Sequence, residues 1–364
     1  MVAVCVEDYA HLARDRLPAD VWDFLEGGSG AERTVAANRA AFDRLRLRPR
    51  FLTGGSVPRT TTTLLGAPLA APLGVAPTAY HRLFHPDGEL ATARGAGAAG
   101  ALYVVSIFAT RPLEQIARAA SGPLWLQVYW LHRRDALSRL VKRAEAAGFA
   151  GLVLTVDTPR VGRRLRDMRN GFAVDPDVRA VNLDDEVTAR THEHQPGVSA
   201  IASHSAQAFD PTLSWSDLDW LRGQTGLPIV LKGILTGEDA ARAVESTVDA
   251  VIVSNHGGRQ LDNVVASLDA LAEVVDAVGG ACPVLFDGGV RCGTDVFTAL
   301  ALGASAVLLG RPVLWALTAG GADAVAHLLD MLHDELVETM MLAGRPALVD
   351  LDRSALVPAP RALT

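Results

Sequence analysis

The chain has 364 residues, 49% of them hydrophobic, with 33 glycines and a formal charge of -7 at pH 7. That acidic balance gives no basic footprint for nucleic acid or an anionic membrane. Cys5, Cys282 and Cys292 are too few and too scattered for a disulfide framework or a C-x-x-C metal site.

The opening MVAVCVEDYA carries acids where a secretory apolar region would stand, so no signal peptide and a cytoplasmic location are expected. Helical pattern runs through Val6–Leu17, Val21–Leu25 and Thr34–Leu45, so residues 1–60 read as a helical segment. Eight short apolar runs come next: Leu73–Pro77, Leu102–Ser106, Leu124–Tyr129, Gly151–Asp157, Ile229–Gly233, Ala250–Asn255, Val284–Gly288 and Ala306–Gly310. They are rich in Val, Ile and Leu without polar alternation, as in strands buried on both faces of a parallel sheet.

Helical periodicity lies between these runs. Leu137, Leu140, Val141 and Ala144 share one face ahead of Gly148; Thr236 can cap a helix carrying Ala240, Ala243 and Val244; Thr294 through Leu302 ends at Gly303. Eight alternating units mean a closed barrel or an open doubly wound sheet, and the count favours a (β/α)8 TIM barrel. The helical segment 1–60 is expected to pack across the bottom or rim of that barrel. With insertions, residues 1–364 fit one such domain of about 250 core residues. Residues 160–227, polar and weakly periodic, follow the fourth run and are expected to contain a lid. The most apolar stretch, Ala299–Ala319, is cut by Gly303, Gly310, Arg311 and Pro312, whereas a membrane span needs ~20 uninterrupted apolar residues. A soluble protein is expected.

Barrel chemistry comes from strand C-terminal ends. Here those ends supply Thr78, Ser106, Gln127 with Tyr129, Thr155 with Asp157, Lys232, Asn255 with His256, Asp287 and Arg311. In Ser254-Asn-His-Gly-Gly-Arg-Gln-Leu-Asp262, two glycines after His256 admit close approach of a ligand, and Arg259 adds a guanidinium. A base beside a guanidinium suits an anionic substrate with a proton to lose, and Asp157 can orient the imidazole. Asp287-Gly-Gly-Val-Arg291 and Gly310-Arg311 follow the seventh and eighth runs, where this fold commonly holds phosphate. Lys232 ends an apolar run and needs an acid partner, a Schiff-base role or an anionic cofactor. One arginine of Arg160-Val-Gly-Arg-Arg164 can serve as a second carboxylate clamp. His81 and His85, and His192, His194 and His204, lack compact metal-ligand company and read as scattered surface histidines.

SNHGGRQLD, LKGI, LTVDTPRVGRR and DGGVRCGTDVFTALALGASAVLLGRP together resemble the FMN-dependent 2-hydroxy acid oxidase and dehydrogenase family, from LPADVWDFLEGGSG to about Gly344. GRRLRDMRNGF and FLEGGSG are most similar to its bacterial hydroxymandelate-oxidising branch. The resemblance implies FMN as cofactor, an L-2-hydroxy acid as substrate, O2 as acceptor and a homotetramer; the residue spacing points to no metal. It implies His256 as base oriented by Asp157. Arg164 and Arg259 would bind the substrate carboxylate with Tyr129, and Lys232 would lie near the reduced flavin. Pro77, Thr78, Ala79, Ser106, Gln127 and Thr155 would contact the flavin ring. Asp287, Gly289, Arg291, Gly310 and Arg311 would hold the ribityl chain and phosphate.

Two departures bear on the substrate. Phe24 stands where many relatives carry Tyr, and Phe108 where glycolate oxidases carry Trp. With Tyr80 and Leu165, they suggest room for an aryl group such as that of (S)-mandelate or 4-hydroxymandelate. Alternative readings are a dehydrogenase using a quinone or protein acceptor, a decarboxylating monooxygenase, an FMN-barrel isomerase of isopentenyl diphosphate, and a flavin-free barrel scaffold.

Overall fold

All eight apolar runs become strands of one closed parallel barrel in a computed structural model that describes residues 2–54, 57–183, 205 and 208–360. Helices α1 (Val6–Arg16), α2 (Ala19–Glu26) and α3 (Arg33–Asp43) come first, then strand β1 (Leu45–Leu47) and the hairpin β2 (Thr62–Leu64)–β3 (Ala67–Leu69). The barrel strands are β4 (Leu73–Val75), β5 (Leu102–Ser106), β6 (Leu124–Val128), β7 (Leu152–Thr155), β8 (Ile229–Ile234), β9 (Ala250–Val253), β10 (Val284–Asp287) and β11 (Ala306–Leu309). Each pairs with its chain neighbour, and β11 closes on β4.

Side-chain parity sorts the strand residues into two cores. Tyr103, Val105, Leu126, Val128, Leu152, Leu154, Leu231, Val251, Val253 and Phe286 face outward into the main core. Leu102, Val104, Trp125, Val153, Val230, Ala250, Ile252, Leu285, Ala306 and Leu308 form a separate interior cluster, which Leu64 and Leu69 of the hairpin join. The barrel is thus a filled core, with the hairpin as its plug. Two residues further along each strand, the next inward positions are Ser106, Gln127, Thr155, Lys232, Ser254, Asp287 and Gly310. Apolar layers below therefore set a polar layer at the mouth.

The outer helices are α4 (Glu89–Ala98), α5 (Leu113–Ala119), α6 (Arg134–Ala146), α7 (Leu165–Asn170), α8 (Asp217–Arg222), α9 (Gly237–Glu245), α10 (Ser267–Val278), α11 (Gly293–Ala301) and α12 (Arg311–Leu342). Thr236 caps α9 as its sequence suggests, accepting from the Asp239 amide at 3.2 Å. Helix α12 is long and apolar enough to cross a membrane, yet it kinks at Gly320–Gly321 and packs, largely buried, against α4 and α1.

Of the two places expected for the N-terminal helices, α2 and α3 take the rim. Helix α1 lies along α12, whereas α2 and α3 border the mouth, and β1 pairs with β12 (Leu356–Pro358) near the other chain end. Residues 184–204, 206 and 207 of the expected lid, with His192, His194 and His204, lie outside the described residues. The return limb beyond them is tied to the end of β6 by a bridge between Leu131 and Phe209 and by the Asp210 amide, which donates to the Trp130 carbonyl at 2.8 Å.

Candidate active site

A cavity at the strand C-terminal ends encloses roughly 1180 Å³ of unfilled space, its mouth included. His256 opens a three-residue turn after β9 and takes a left-handed φ of 60°, a costly conformation for a non-glycine residue. The turn is held from outside the barrel. Asn255, of outward parity, exchanges amide hydrogen bonds of 2.8 and 2.7 Å with Asn38 of α3 and accepts the Gly258 amide. Gly258, at φ 74°, packs on Val35, whose amide nitrogen a Cβ would approach to 2.7 Å.

Within the turn, His256 Nδ1 lies 2.9 Å from Asp157 Oδ1, leaving Nε2 for the cavity. Burial lowers the imidazole pKa, and the positive charges of Lys232 and Arg164 add to that, against the pull of Asp157. Burial works against ionisation of Asp157, but His256 and Lys232 outweigh it and hold the carboxyl below its ordinary value. The pair therefore presents a neutral imidazole whose Nδ1–H donates to a carboxylate, and whose Nε2 lone pair can accept a proton.

Beneath it, Ser254 carries a junction. Its hydroxyl accepts from the Lys232 ammonium at 2.7 Å and from the His256 amide at 3.1 Å, and donates to Asp287 Oδ1 at 2.6 Å. Lys232 also meets Asp287 Oδ2 directly at 3.1 Å, both side chains being buried. The open choice at Lys232 thus resolves to an acid-paired cation lining the cavity. Ser106 and Gln127 are linked at 3.3 Å, and Gln127 donates to Thr155 at 3.0 Å. Ser106 reaches the cavity wall; Gln127, Thr155 and Asp157 support it without lining it.

Four arginines gather positive charge around this space. Of the Arg160–Arg164 cluster only Arg164 turns inward and is buried, while Arg160 and Arg163 are exposed. Arg259 spends Nη1 on the carbonyls of Leu25 and Gly27 and stacks over Phe24, with its guanidinium carbon 5.2 Å from the ring centroid. Arg311 is a clamp: its guanidinium donates to the carbonyls of Leu25, Glu26, Gly27 and Gly257 at 3.0–3.2 Å, joining the end of α2 to the His256 turn. Arg291 lies 4.6 Å from the Trp315 ring centroid. Burial lowers the pKa of all four, Arg291 to about 10, and mutual repulsion lowers Arg259 and Arg311 further. Such a concentration of buried cations is an anion-binding arrangement.

Part of the cavity wall is aromatic. Phe24 stacks on Phe172 at 4.5 Å; Tyr129 stacks on Phe209 at 4.4 Å; Phe108 bridges Tyr80 and Phe209 at 5.7 and 6.0 Å. Phe24, Tyr80, Phe108, Tyr129 and Phe209 line the cavity, but Leu165, expected among them, does not. Pro77, Thr78 and Ala79 also line it. His81 is a buried histidine rather than a surface one, bonded to Thr78 at 2.7 Å and to Thr92 at 2.9 Å. Among the described residues no cluster of His, Cys, Asp and Glu is placed to hold a metal ion.

Three contributors escaped the strand-end reading. Ser254 follows from parity along β9. Gln260, which donates to the carbonyls of Asp157 and Arg160, follows from its place after Arg259. Phe209 has no local signal, because a long-range bridge brings it in.

The donor set fits a flavin mononucleotide. Gly288, Gly289, Gly310, Arg291 and the N-terminus of α12 line the cavity as an anion cradle, and a Cβ at Gly310 would meet nothing nearer than Thr78 at 4.0 Å. Lys232 lines the same cavity as a buried cation. Arg164 and Arg259 line it with His256, as donors for a second, smaller anion.

Comparison with known proteins agrees. The chain is 49% identical to a 4-hydroxymandelate oxidase of Amycolatopsis orientalis over 344 residues, covering 94% of this chain and 95% of that one. It is 48% identical to an L-lactate oxidase of Nostoc sp., covering 96% of each. A crystal structure of mandelate oxidase with (S)-4-hydroxymandelic acid superposes with a TM-score of 0.94 at 47% identity, covering 98% of this chain and 99% of that one. The profile of the FMN-dependent dehydrogenases matches residues 13–358, and the chain belongs to that family.

Proposed function

We propose that this FMN-dependent enzyme oxidises an (S)-2-hydroxy acid with an aryl side chain, mandelate or 4-hydroxymandelate, to the 2-keto acid, with O2 reduced to H2O2. The observation that carries this reading is the meeting of two buried arginines, a neutral His–Asp pair and an aromatic wall in one cavity. Arg164 and Arg259 receive the substrate carboxylate, which satisfies charges the protein itself leaves in repulsion. Phe24, Phe108 and Phe209 receive the ring and keep water from the reacting carbon.

Bound FMN supplies the acceptor for the two electrons, and dioxygen takes them on as peroxide. Loss of two electrons and two protons turns the alcohol into a ketone; His256 takes one proton at Nε2, the other leaves with the electron pair, and both end on the hydrogen peroxide. Asp157 holds the tautomer and stabilises the imidazolium that results. Lys232 would balance negative charge on bound FMN, and Ser254, accepting from the ammonium at 2.7 Å, would keep it in place. Asp287, Gly289, Arg291, Gly310 and Arg311 would hold the ribityl chain and phosphate, Arg311 largely through the backbone it clamps.

The test is anaerobic flavin bleaching with glycolate, (S)-lactate, (S)-mandelate and 4-hydroxymandelate, followed by oxygen uptake and product analysis. Rapid bleaching by the aryl acids with one peroxide per keto acid supports the reading. Bleaching by glycolate alone overturns the aryl pocket, and benzoate with CO2, or no oxygen uptake, overturns the oxidase outcome. We also propose a cytoplasmic homotetramer. Three unpaired cysteines suit a reducing compartment, and light scattering near four times 38.4 kDa tests the assembly.

A further inference from the structure

We propose that Thr158 is a positioning residue of the proton-transfer machinery, sharing with the His256 imidazole the one oxygen of Asp157 that orients it. The inference rests on the reading of His256 as the base and adds a residue to it. Thr158 directly follows Asp157, is 7% exposed and lines the same cavity as Tyr129 and His256.

The direction follows from counting hydrogens. Thr158 Oγ1 lies 2.9 Å from Asp157 Oδ1, the same oxygen that His256 Nδ1 meets at 2.9 Å. An ionised carboxylate only accepts, so the single hydroxyl hydrogen of Thr158 is committed to Asp157. Thr158 O–H and His256 Nδ1–H therefore converge as donors on the one oxygen, Asp157 Oδ1.

The reaction is affected through the charge on Asp157. Oδ1 divides its charge between two donors, while Oδ2 is buried with no hydrogen-bond partner among the described residues. Thr158 thus tempers the pull of Asp157 on the imidazole and keeps His256 a weaker, neutral base.

Thr158→Val removes the hydroxyl at nearly constant volume, and Thr158→Ser retains it. The readout is the pH profile of kcat/KM with (S)-mandelate on the FMN-loaded enzyme, with kcat and KM separated. The groups facing the imidazole, Asp157, Lys232 and Arg164, are the same in every variant. Thr158→Val is expected to move the acid limb upward by about half a pH unit or more and to lower kcat about tenfold, with KM within about threefold, the size of one charge-assisted hydrogen bond. Thr158→Ser restores the wild-type limb. If Thr158→Val loses its flavin, Thr158→Ala gives the same comparison.

A wild-type limb in the hydroxyl-free variant, or an equal displacement in Thr158→Ser, overturns the proposal. His256→Gln run in parallel separates the two readings. If that variant is still reduced by substrate, the base assignment fails; if it is inert while Thr158→Val keeps the wild-type limb, only the Thr158 proposal fails.

Discussion

Replacing Ser254 with alanine removes one oxygen and three hydrogen bonds from the floor of the site. That oxygen accepts from the Lys232 ammonium at 2.7 Å and the His256 amide at 3.1 Å, and donates to Asp287 at 2.6 Å. Two of these bonds involve a charge and are each worth about 1.5–3 kcal/mol, and the amide bond about 1 kcal/mol. The direct contact of Lys232 with Asp287 at 3.1 Å survives and recovers part of the loss. A net cost of about 3 kcal/mol corresponds to a fall in Tm of roughly 4 °C for a chain of 364 residues, at an unfolding entropy of about 2.1 cal/mol/K per residue. Thermal unfolding of Ser254→Ala against wild type at one scan rate, with fluorescence titration of FMN on the stripped protein, reads both stability and cofactor affinity. A Tm within about 1 °C of wild type, together with unchanged FMN affinity, would refute the claim that this hydroxyl holds Lys232 and Asp287 in place.

Arg259→Met is expected to raise KM for (S)-mandelate about 30- to 100-fold while FMN remains bound, the loss of about 2–3 kcal/mol of charge-assisted binding. The neutral amide of the same hydroxy acid should be little affected, and steady-state kinetics with both compounds checks it; a KM within threefold of wild type contradicts the clamp. Burial, with Lys232 and Arg164, lowers the His256 pKa, so the base is neutral at pH 7 and the acid limb of kcat/KM falls below the ordinary imidazole value of about 6.5. Asp157 raises that pKa, so Asp157→Asn should move the limb lower still while reducing kcat; a limb above 6.5 in wild type, or an upward move in the variant, contradicts the sign.

The barrel is readable in the sequence because its strands are short apolar runs of nearly uniform composition, buried on both faces, and local composition carries that signal. The polar mouth is readable from strand ends for the same reason. Choosing between neighbours at an end needs the inward parity, which passes over Asn255 and selects Ser254, and Asn255 instead braces the turn from α3. Tertiary direction is less accessible. Within Arg160–Arg164 the local sequence gives no reason why Arg164 alone is buried, and Arg311, expected at the phosphate, spends most of its donors on the backbone of α2. Leu165 and Phe209 exchange places as pocket residues because a bridge to Leu131 aims Phe209 inward over a large sequence separation. The N-terminal helices show helical periodicity, but only the contacts of α2 and α3 with the His256 turn place those two at the mouth.

The mechanism stands or falls on His256, poised by Asp157, removing the substrate proton. Anaerobic mixing of FMN-loaded His256→Gln with (S)-mandelate, followed at the flavin absorption bands, isolates that step. A stable yellow spectrum is expected, with no bleaching on the timescale that fully reduces wild type. Reduction at a rate within about tenfold of wild type would contradict the assignment, since a positioned general base contributes about 10²–10⁴-fold.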